Sequence, residues 1–322
     1  GVRRDGIPPL TNPNTLSARQ AEYLADSDVV FGVSINGDAR CYPKRILAWH
    51  EMVRDTVGGV PINGVYCTLC GSMIVYDTRW NDRQFLLGTS GFLYRSNKLM
   101  YDRETKSLWS TICGRPVVGP LVEENISLNR LHVVTSTWGQ WRQQHPDTRV
   151  LSLNTGHERD YGEGVAYRDY FATDDLMFDV PARDNRLSNK ASVLVMRDGD
   201  RDPTAISAEF LKEHSVYHET VGDTNVVVLT DAAGANRVYA VGDRNFKATA
   251  ISDIFTDRSG NRWRQTESAL LPIAEPSSLA EAAPRSGLPR FAAHRAFWFG
   301  WYASYPNTRL IGSDSGGSKP RQ

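Results

Sequence analysis

The chain has 322 residues, and its 37 basic side chains balance its 37 acidic ones, so the formal net charge is zero. This balance excludes the strongly basic surface by which proteins bind nucleic acid, and no run of about 18 apolar residues indicates a transmembrane helix. With 40% hydrophobic residues and eight Trp, the composition suffices for a folded core. We therefore expect a globular protein with a small molecule as its substrate, no nucleic-acid partner and no transmembrane segment.

The N-terminal part of the chain predicts an arm, a hairpin and a helix. Residues 1–28 are rich in Pro and Asn and are expected to form an arm over the first domain. The β-branched run Val29 to Ile35 predicts a strand, and Asn36-Gly37-Asp38 predicts the hairpin turn after it. Apolar residues recur with helical spacing from Lys44 to Val57, so we expect a helix there with His50 on its apolar face.

Two cysteines mark the next predicted hairpin. Short runs rich in Val, Ile and Tyr flank Cys67-Thr68-Leu69-Cys70-Gly71, which places both thiols at the tip of a β-hairpin. Three interpretations are open: a knuckle that binds a metal through two thiolates, a structural or redox-active disulfide, or two buried thiols that only pack. A thioredoxin-type motif opens a helix instead, and the predicted strand after Cys70 argues against it.

A metal site at this hairpin needs ligands from elsewhere in the chain. His50 is the natural third ligand, since it precedes the hairpin by one helix and one strand, and Met100 could add a thioether. Two thiolates, an imidazole and a thioether suit one transition metal, copper if the site is redox-active and zinc if it is closed and structural. The alternatives are a hydrogen-bonded core histidine that plays no catalytic role and a core methionine.

A segment bounded by glycines, residues 88–103, supplies further candidates. Tyr94 and Asn97 could hold a substrate in a cleft and, with His50 as a base, act in catalysis. Ordinary polar surface is the alternative for Tyr94 and Asn97.

Similar patterns in the two halves of the chain predict an internal duplication. Trp138-x-x-Trp141 followed by Pro146 reappears as Trp298-x-x-Trp301 followed by Pro306. We expect a first repeat at 29–153 with the candidate site, a connection at 154–192, a degenerate second repeat at 193–312 and a tail at 313–322. The predicted fold class is α+β and strand-rich, with two tandem homologous α+β units related by a pseudo-twofold axis. Asp231 and Gly234 take the positions of the two cysteines in the second repeat.

Five segments together resemble the bacterial and archaeal family catalogued as domain of unknown function 3179. They are Asn63-Gly64-Val65-Tyr66-Cys67-Thr68-Leu69-Cys70-Gly71-Ser72, Ala39-Arg40-Cys41-Tyr42-Pro43 with Trp49-His50-Glu51, Leu99-Met100-Tyr101-Asp102-Arg103-Glu104-Thr105, Arg159-Asp160-Tyr161-Gly162 and Ala296-Phe297-Trp298-Phe299. The resemblance spans about Gly6 to Gly312. It implies no particular activity, but members often carry export or lipoprotein signals, which implies a periplasmic or extracellular location. Positions 41 and 113 are not usually Cys in the family.

The sequence thus supports three functional hypotheses. The first is an exported metal-binding protein, a metalloenzyme if an open coordination position activates water, oxygen or a small substrate. The second is a thiol–disulfide redox protein that uses Cys67 and Cys70 without metal. The third is a non-catalytic binding or scaffold protein in which a disulfide holds one turn together.

Overall fold

A computed structural model describes residues 2–273 and 286–313. The chain divides into two compact units. The first, called unit 1 here, runs up to Val193 and takes in a later piece, His294–Pro306, which we call the return segment. The second, unit 2, comprises Leu194–Ala293 and the residues from Asn307 onwards. The predicted tail lies, apart from Ser313, outside the described residues, and the other predicted repeat boundaries stay predictions.

Strands dominate both units, and the helices are short. The strands are β1 (Leu10–Thr11), β2 (Thr15–Ser17), β3 (Val29–Ile35), β4 (Asp38–Pro43), β5 (Met52–Val57), β6 (Val60–Cys67), β7 (Ser72–Asp77), β8 (Arg79–Trp80), β9 (Arg83–Gln84), β10 (Leu87–Tyr94), β11 (Asn97–Asp102), β12 (Leu108–Ser110), β13 (Arg115–Val118), β14 (Arg130–Leu131), β15 (Val134–Thr137), β16 (Arg149–Leu151), β17 (Ser192–Asp198), β18 (Arg201–Ser207), β19 (Val216–Val221), β20 (Thr224–Thr230), β21 (Asn236–Ala240), β22 (Phe246–Ala248), β23 (Ile254–Asp257), β24 (Arg262–Gln265), β25 (Ala269–Pro272), β26 (Leu288–Pro289), β27 (Ala293–Phe297) and β28 (Arg309–Ile311). The helices are α1 (Lys44–His50), α2 (Trp138–Gln144), α3 (Arg168–Ala172), α4 (Ala208–Glu213) and α5 (Trp298–Ser304), with a 3-10 helix at Pro120–Glu124.

Unit 1 contains three main sheets and the small β8–β9 hairpin. Their strand orders are β1-β5-β6-β7-β14, β10-β11-β12-β13 and β15-β3-β4-β16-β2. The predicted strand at Val29–Ile35 is confirmed as β3. Of the predicted turn Asn36-Gly37-Asp38, the first two residues form the turn, and Asp38 opens β4 and pairs with Ile35. Both turn residues have positive φ, 50° for Asn36 and 82° for Gly37, which suits a tight hairpin and favours this residue pair.

The helix predicted from Lys44 to Val57 is wrong over its second half. Helix α1 ends at His50, and Glu51 has a left-handed backbone with φ of 57°. Residues Met52–Val57 form β5 instead, which pairs in parallel with β1 and antiparallel with β6. The β-branched residues of this segment suit a pleated sheet, and hydrogen bonds on both sides of the strand outweigh the helical spacing.

The predicted fold class, α+β with two tandem homologous units about a pseudo-twofold axis, is wrong. The chain is 43% strand and 12% helix, arranged in small sheets. No helix in the described ranges exceeds seven residues, too short to be stable alone or to form a layer. The class is all-β, and small sheets in succession are typical of β-propellers. Across residues 2–273 and 286–313, no helix combines the length and apolar character that crossing a bilayer requires.

Unit 2 has three groups of strands. Antiparallel β19-β20-β21 and β22-β23-β24-β25-β26 account for two of them, and β28 pairs in parallel with β18 in the third. Alternate residues of β20 serve two hydrophobic clusters: Val226 and Val228 belong to one, Val227 and Leu229 to the other. Apolar side chains on both faces mean that β20 is buried on both sides.

The core of unit 1 contains a close contact between β3 and α2. Trp141 is fully buried, and its indole Nε1 donates to Thr148 Oγ1 over 3.0 Å. A Cβ atom added to Gly32 would lie only 2.2 Å from the Trp141 ring. Glycine is therefore required at this position of β3 by the space that the indole occupies. The four Trp of the repeated pattern are all buried and are core residues.

Gly32→Ala is expected to lower the free energy of unfolding by about 1–3 kcal/mol, because an overpacked core must shift a rigid indole ring. Chemical denaturation monitored by circular dichroism measures the loss. Ser34→Ala, on the same strand and half-buried, is the matched control, and we expect it to change stability by less than about 0.5 kcal/mol. Equal effects of the two substitutions would contradict the assigned contact.

Candidate functional site

The predicted cysteine hairpin is confirmed, with Cys67 closing β6 and Ser72 opening β7 opposite it. The two sulfur atoms form a disulfide, with the Cα atoms 5.2 Å apart. Cys70 N–H donates to Cys67 O over 3.1 Å, and Gly71 has φ of 62°. A Cβ added to Gly71 would lie 2.8 Å from the Phe297 ring, so this position needs glycine for space as well as for conformation.

Other parts of unit 1 enclose the disulfide turn. Sγ of Cys70 lies 2.9 Å from the carbonyl oxygen of Ser96, and the Phe297 N–H donates to Cys70 O over 2.7 Å. A Cβ added to Gly300, in the return segment, would lie 3.1 Å from Cys70 Cβ, so the two segments pack tightly here. Cys67 is 3% exposed and Cys70 not at all. The disulfide is therefore reachable only by a small molecule or after the turn opens.

Three buried hydroxyl groups lie on or next to the turn. Thr68, Ser72 and Ser96 are each more than nine-tenths buried, and none of their hydroxyl oxygens has a hydrogen-bond partner among the described residues. Burying a hydroxyl without a partner is unfavourable. These three hydroxyls could therefore still form hydrogen bonds. Apolar side chains at the same positions would make the fold more stable.

A buried ion pair connects the chain segments that flank the two cysteines. The ammonium of Lys98 contacts the carboxylate of Glu51, and their side chains are only 6% and 7% exposed. The Glu51 carbonyl accepts the N–H of Tyr66, next to Cys67, while Lys98 follows two residues after Ser96. Burial lowers the pKa of Lys98 to about 7, since desolvation penalises the charged form.

Sequence reasoning missed this ion pair. Glu51 falls inside the expected helix, and Lys98 lies in a strand that also contains Asn97 and Asp102, so each resembles an ordinary surface charge. One signal was present in the sequence: Lys98 directly precedes the apolar run Leu99-Met100-Tyr101. A lysine flanked by buried strand residues must have a partner. The identity of that partner, 47 positions earlier, needs the fold.

The structure gives His50 partners other than a metal. It is fully buried, with Nδ1 2.9 Å from Pro8 O and Nε2 2.6 Å from the Tyr161 hydroxyl. Both ring nitrogens are therefore occupied by protein groups. Burial lowers the pKa of His50, the bond to Pro8 opposes this, and the charges of His157 and Arg159 add to the lowering. The ring is a neutral, hydrogen-bonded core histidine here.

The remaining predicted site residues have separate places. Met100 is buried, and its sulfur accepts from Asn63 Nδ2 over 3.4 Å. Asn97 is buried beside Ser96, and its Nδ2 donates to Gly300 O over 2.7 Å, so it secures the return segment. Tyr94 is 46% exposed at the tip of the β10–β11 hairpin. The structure thus places Asn97 next to Ser96, whose carbonyl contacts Cys70, and pairs Asn97 with Tyr94 across β10 and β11. The hydrogen bonds of His50 and Met100 go to other groups.

The metal hypothesis stays a prediction. In the part of the chain that the structure describes, no group of three or more His, Cys, Asp or Glu side chains is arranged to hold a metal ion. The two remaining cysteines, Cys41 and Cys113, are free thiols.

Fold and site together define a class: an all-β protein with a buried Cys-x-x-Cys disulfide turn and a buried ion pair attached to its flanking strands. The sequence matches the family described as protein of unknown function (DUF3179) over residues 4–308, and the chain belongs to that family. This confirms the resemblance found in the five sequence segments. No curated protein and no solved structure matches the chain.

Proposed function

We propose that this protein is a thiol–disulfide redox protein in which Cys67 and Cys70 alternate between a disulfide and two thiols. The observation that carries the proposal is the pairing of the two sulfur atoms in a turn with three buried, unpartnered hydroxyls. A disulfide that only fastens a turn needs no polar surroundings, because sulfur packs well against hydrocarbon. Buried polar groups cost stability, so their presence favours a chemical role.

The Ser96 carbonyl distinguishes the two sulfur atoms. In the dithiol form, the S–H of Cys70 can donate to this oxygen, which lies 2.9 Å away. The same oxygen repels a negative charge on Cys70. Cys67 is therefore the thiol that ionises and attacks, and Cys70 is the one that completes the exchange.

Oxidation of the dithiol by a small disulfide then proceeds in two displacements. The Cys67 thiolate attacks one sulfur of the small disulfide, forms a mixed disulfide and releases the first small thiolate, which takes up the proton that Cys67 lost. Cys70 then loses its proton and attacks the Cys67 sulfur, and the second small thiol leaves with that proton. The protein loses two electrons and two protons, and the small disulfide becomes two thiols.

Burial and redox chemistry indicate the partner and the compartment. Because both cysteines are nearly inaccessible, a low-molecular-weight thiol or disulfide is the proposed substrate. Disulfides persist in oxidising compartments, so we propose a periplasmic or extracellular location.

The redox proposal predicts a reversible two-electron transition in the folded protein. The protein is equilibrated in mixtures of reduced and oxidised glutathione, quenched with acid, unfolded so that the buried thiols can react, labelled with a maleimide and weighed by mass spectrometry. We expect two labels on the oxidised form, at the free thiols Cys41 and Cys113, and two more on the reduced form, with the circular dichroism spectrum retained. Cys67→Ser and Cys70→Ser should abolish the transition, and Cys113→Ser should keep it. Reduction that occurs only in denaturant would instead assign the disulfide a purely structural role.

The same variants test the metal hypothesis with copper or zinc as cofactor. Protein prepared without chelator is analysed for metal by mass spectrometry. Stoichiometric metal that is lost in Cys67→Ser and His50→Gln but kept in Cys113→Ser would support metal binding and overturn the redox proposal.

A further inference from the structure

A second region of unit 1 has the features of a ligand site and lies at residues that the redox chemistry does not use. Two adjoining depressions, of about 660 Å³ and about 450 Å³, share the residues Glu158, Arg159 and Asp160 in their walls. Trp49 and Tyr167 line the first depression, and Tyr161 lines the second.

The directions of the hydrogen bonds beneath the second depression can be assigned, because one partner, the Pro8 carbonyl oxygen, can only accept. A backbone carbonyl can only accept, so the His50 proton is on Nδ1, toward Pro8 O. Nε2 must then accept, and the Tyr161 hydroxyl donates to it over 2.6 Å. Thr155 Oγ1, 2.6 Å from the same phenol oxygen, is left as the donor. The phenol has used its only hydrogen and retains one lone pair, so toward a ligand Tyr161 is an acceptor.

The charges in the walls select against an ionic ligand. Glu158, Arg159 and Asp160 are exposed, and none is engaged in an ion pair among the described residues. Arg45, which also lines the second depression, is ion-paired with Asp28 and Glu163. Of the charges that remain, two carboxylates repel an anion, and the guanidinium repels a cation. What fits is a neutral molecule that donates hydrogen bonds to the carboxylates and to Tyr161 and accepts them from Arg159.

Aromatic side chains add a flat surface to these polar groups. Trp49 is half-buried and is fixed by a 2.8 Å hydrogen bond from its Nε1 to Asp160 O. The Arg159 guanidinium lies over its ring, 6.0 Å from the centroid, so the ring and the guanidinium would contact a ligand together. Tyr167 has φ of 57°, a conformation that costs a non-glycine residue energy and that clusters at functional sites. Aromatic faces combined with paired donors and acceptors suit a ring that is apolar on its faces and hydroxylated at its edges.

The geometry points to a neutral-carbohydrate site in these two depressions, with the Tyr161 oxygen, Arg159, Glu158 and Asp160 as its polar contacts and Trp49 and Tyr167 as its aromatic walls. None of these side chains belongs to the disulfide turn.

Titration calorimetry of the full chain with maltose, cellobiose and lactose, each at millimolar concentration, tests the inference. We expect at least one of these neutral sugars to bind, and glucuronate and glucosamine to bind more weakly. Arg159→Ala should weaken binding about tenfold or more, since it removes a charged hydrogen-bond donor. Arg83→Ala, at an exposed ion pair, is the matched control and should bind like the original protein.

Tyr161→Phe is a second variant, with its thermal unfolding measured in parallel because it also removes a partner of buried His50. Weaker sugar binding by folded Tyr161→Phe protein supports the site. The inference is overturned if none of the three neutral sugars binds, if a charged sugar binds more tightly, or if Arg159→Ala binds with unchanged affinity. Reductant should not alter sugar affinity, so failure of the redox proposal leaves this result intact.

Discussion

Lys98→Met is expected to lower the free energy of unfolding by about 3–5 kcal/mol at neutral pH, because it leaves the buried carboxylate of Glu51 without its cation. The Tyr167 hydroxyl lies 3.5 Å from Glu51 Oε1, which is too far for a strong hydrogen bond. In the folded variant, Glu51 takes up a proton that the unfolded chain, with a carboxyl pKa of about 4.3, has released. The loss of stability therefore grows as pH rises above about 5 and shrinks in acid.

The opposite variant should show the opposite pH dependence. In Glu51→Gln, Lys98 is buried without a carboxylate partner, and burial lowers its pKa below the value of about 10.4 that holds in the unfolded chain. Between the lowered and the unfolded pKa the unfolded chain binds more protons than the folded one, so stability rises with pH. The loss in Glu51→Gln is thus largest at the acid end of the range and decreases toward about pH 10.

Urea denaturation between pH 5 and 9 measures both trends. The double variant Glu51→Gln/Lys98→Met pairs two uncharged side chains of similar size, so it should recover most of the stability and show neither trend. Arg83→Met, which breaks an exposed ion pair with Glu124, is the surface control and should cost less than about 1 kcal/mol. If both single variants behave like Arg83→Met, the buried pair contributes nothing.

Arg237→Met should cause a loss of similar size in unit 2, about 3–5 kcal/mol. Arg237 is 1% exposed and lies between two carboxylates, 2.7 Å from Glu267 and 3.2 Å from Asp231. Burial acts to lower its pKa, but Glu267 and then Asp231 outweigh it, so the net pKa is raised and the cation persists at all accessible pH values. Without Arg237, Glu267 still has Arg290 at 3.0 Å, and Asp231 loses its only cation among the ion pairs described.

Thermal and urea unfolding provide the measurement for Arg237→Met. Lys212→Met removes an exposed ion pair with Glu209 in the same unit and is the control, with an expected loss below about 0.5 kcal/mol. Asp231→Asn/Arg237→Met removes both charges and should be more stable than Arg237→Met alone. If the double variant is less stable than Arg237→Met, the loss of stability in Arg237→Met does not come from an unpaired Asp231 carboxylate.

Local structure was predictable from the sequence where a short pattern determines it. The turn at Asn36-Gly37 requires only two residues that readily adopt positive φ. The runs on either side of Cys67 and Cys70 are rich in residues that favour strands. The helix beyond His50 was mispredicted because helical spacing describes one chain segment, whereas β5 is stabilised by two neighbouring strands. The fold class failed for the same reason, since sheets are built from pairings between distant residues.

The candidate site was only partly predictable. Cys67 and Cys70 lie within four consecutive positions, so this motif is visible in the sequence itself. The partners of His50 are 42 and 111 residues away, in Pro8 and Tyr161, so the sequence could not show that both ring nitrogens are occupied. Lys98 and Glu51 likewise meet only through the fold.

The return segment limits how this chain can be shortened for laboratory work. A fragment that stops at Val193 keeps both cysteines and every strand of the hairpin, yet it lacks Phe297 and Gly300, which cover Cys70. In such a fragment the disulfide would be exposed to water and to reductants in solution. Its redox behaviour would differ from that of the intact chain. A single truncation therefore cannot reproduce unit 1. A shorter version of the protein would need residues 294–306 joined to unit 1 by a linker.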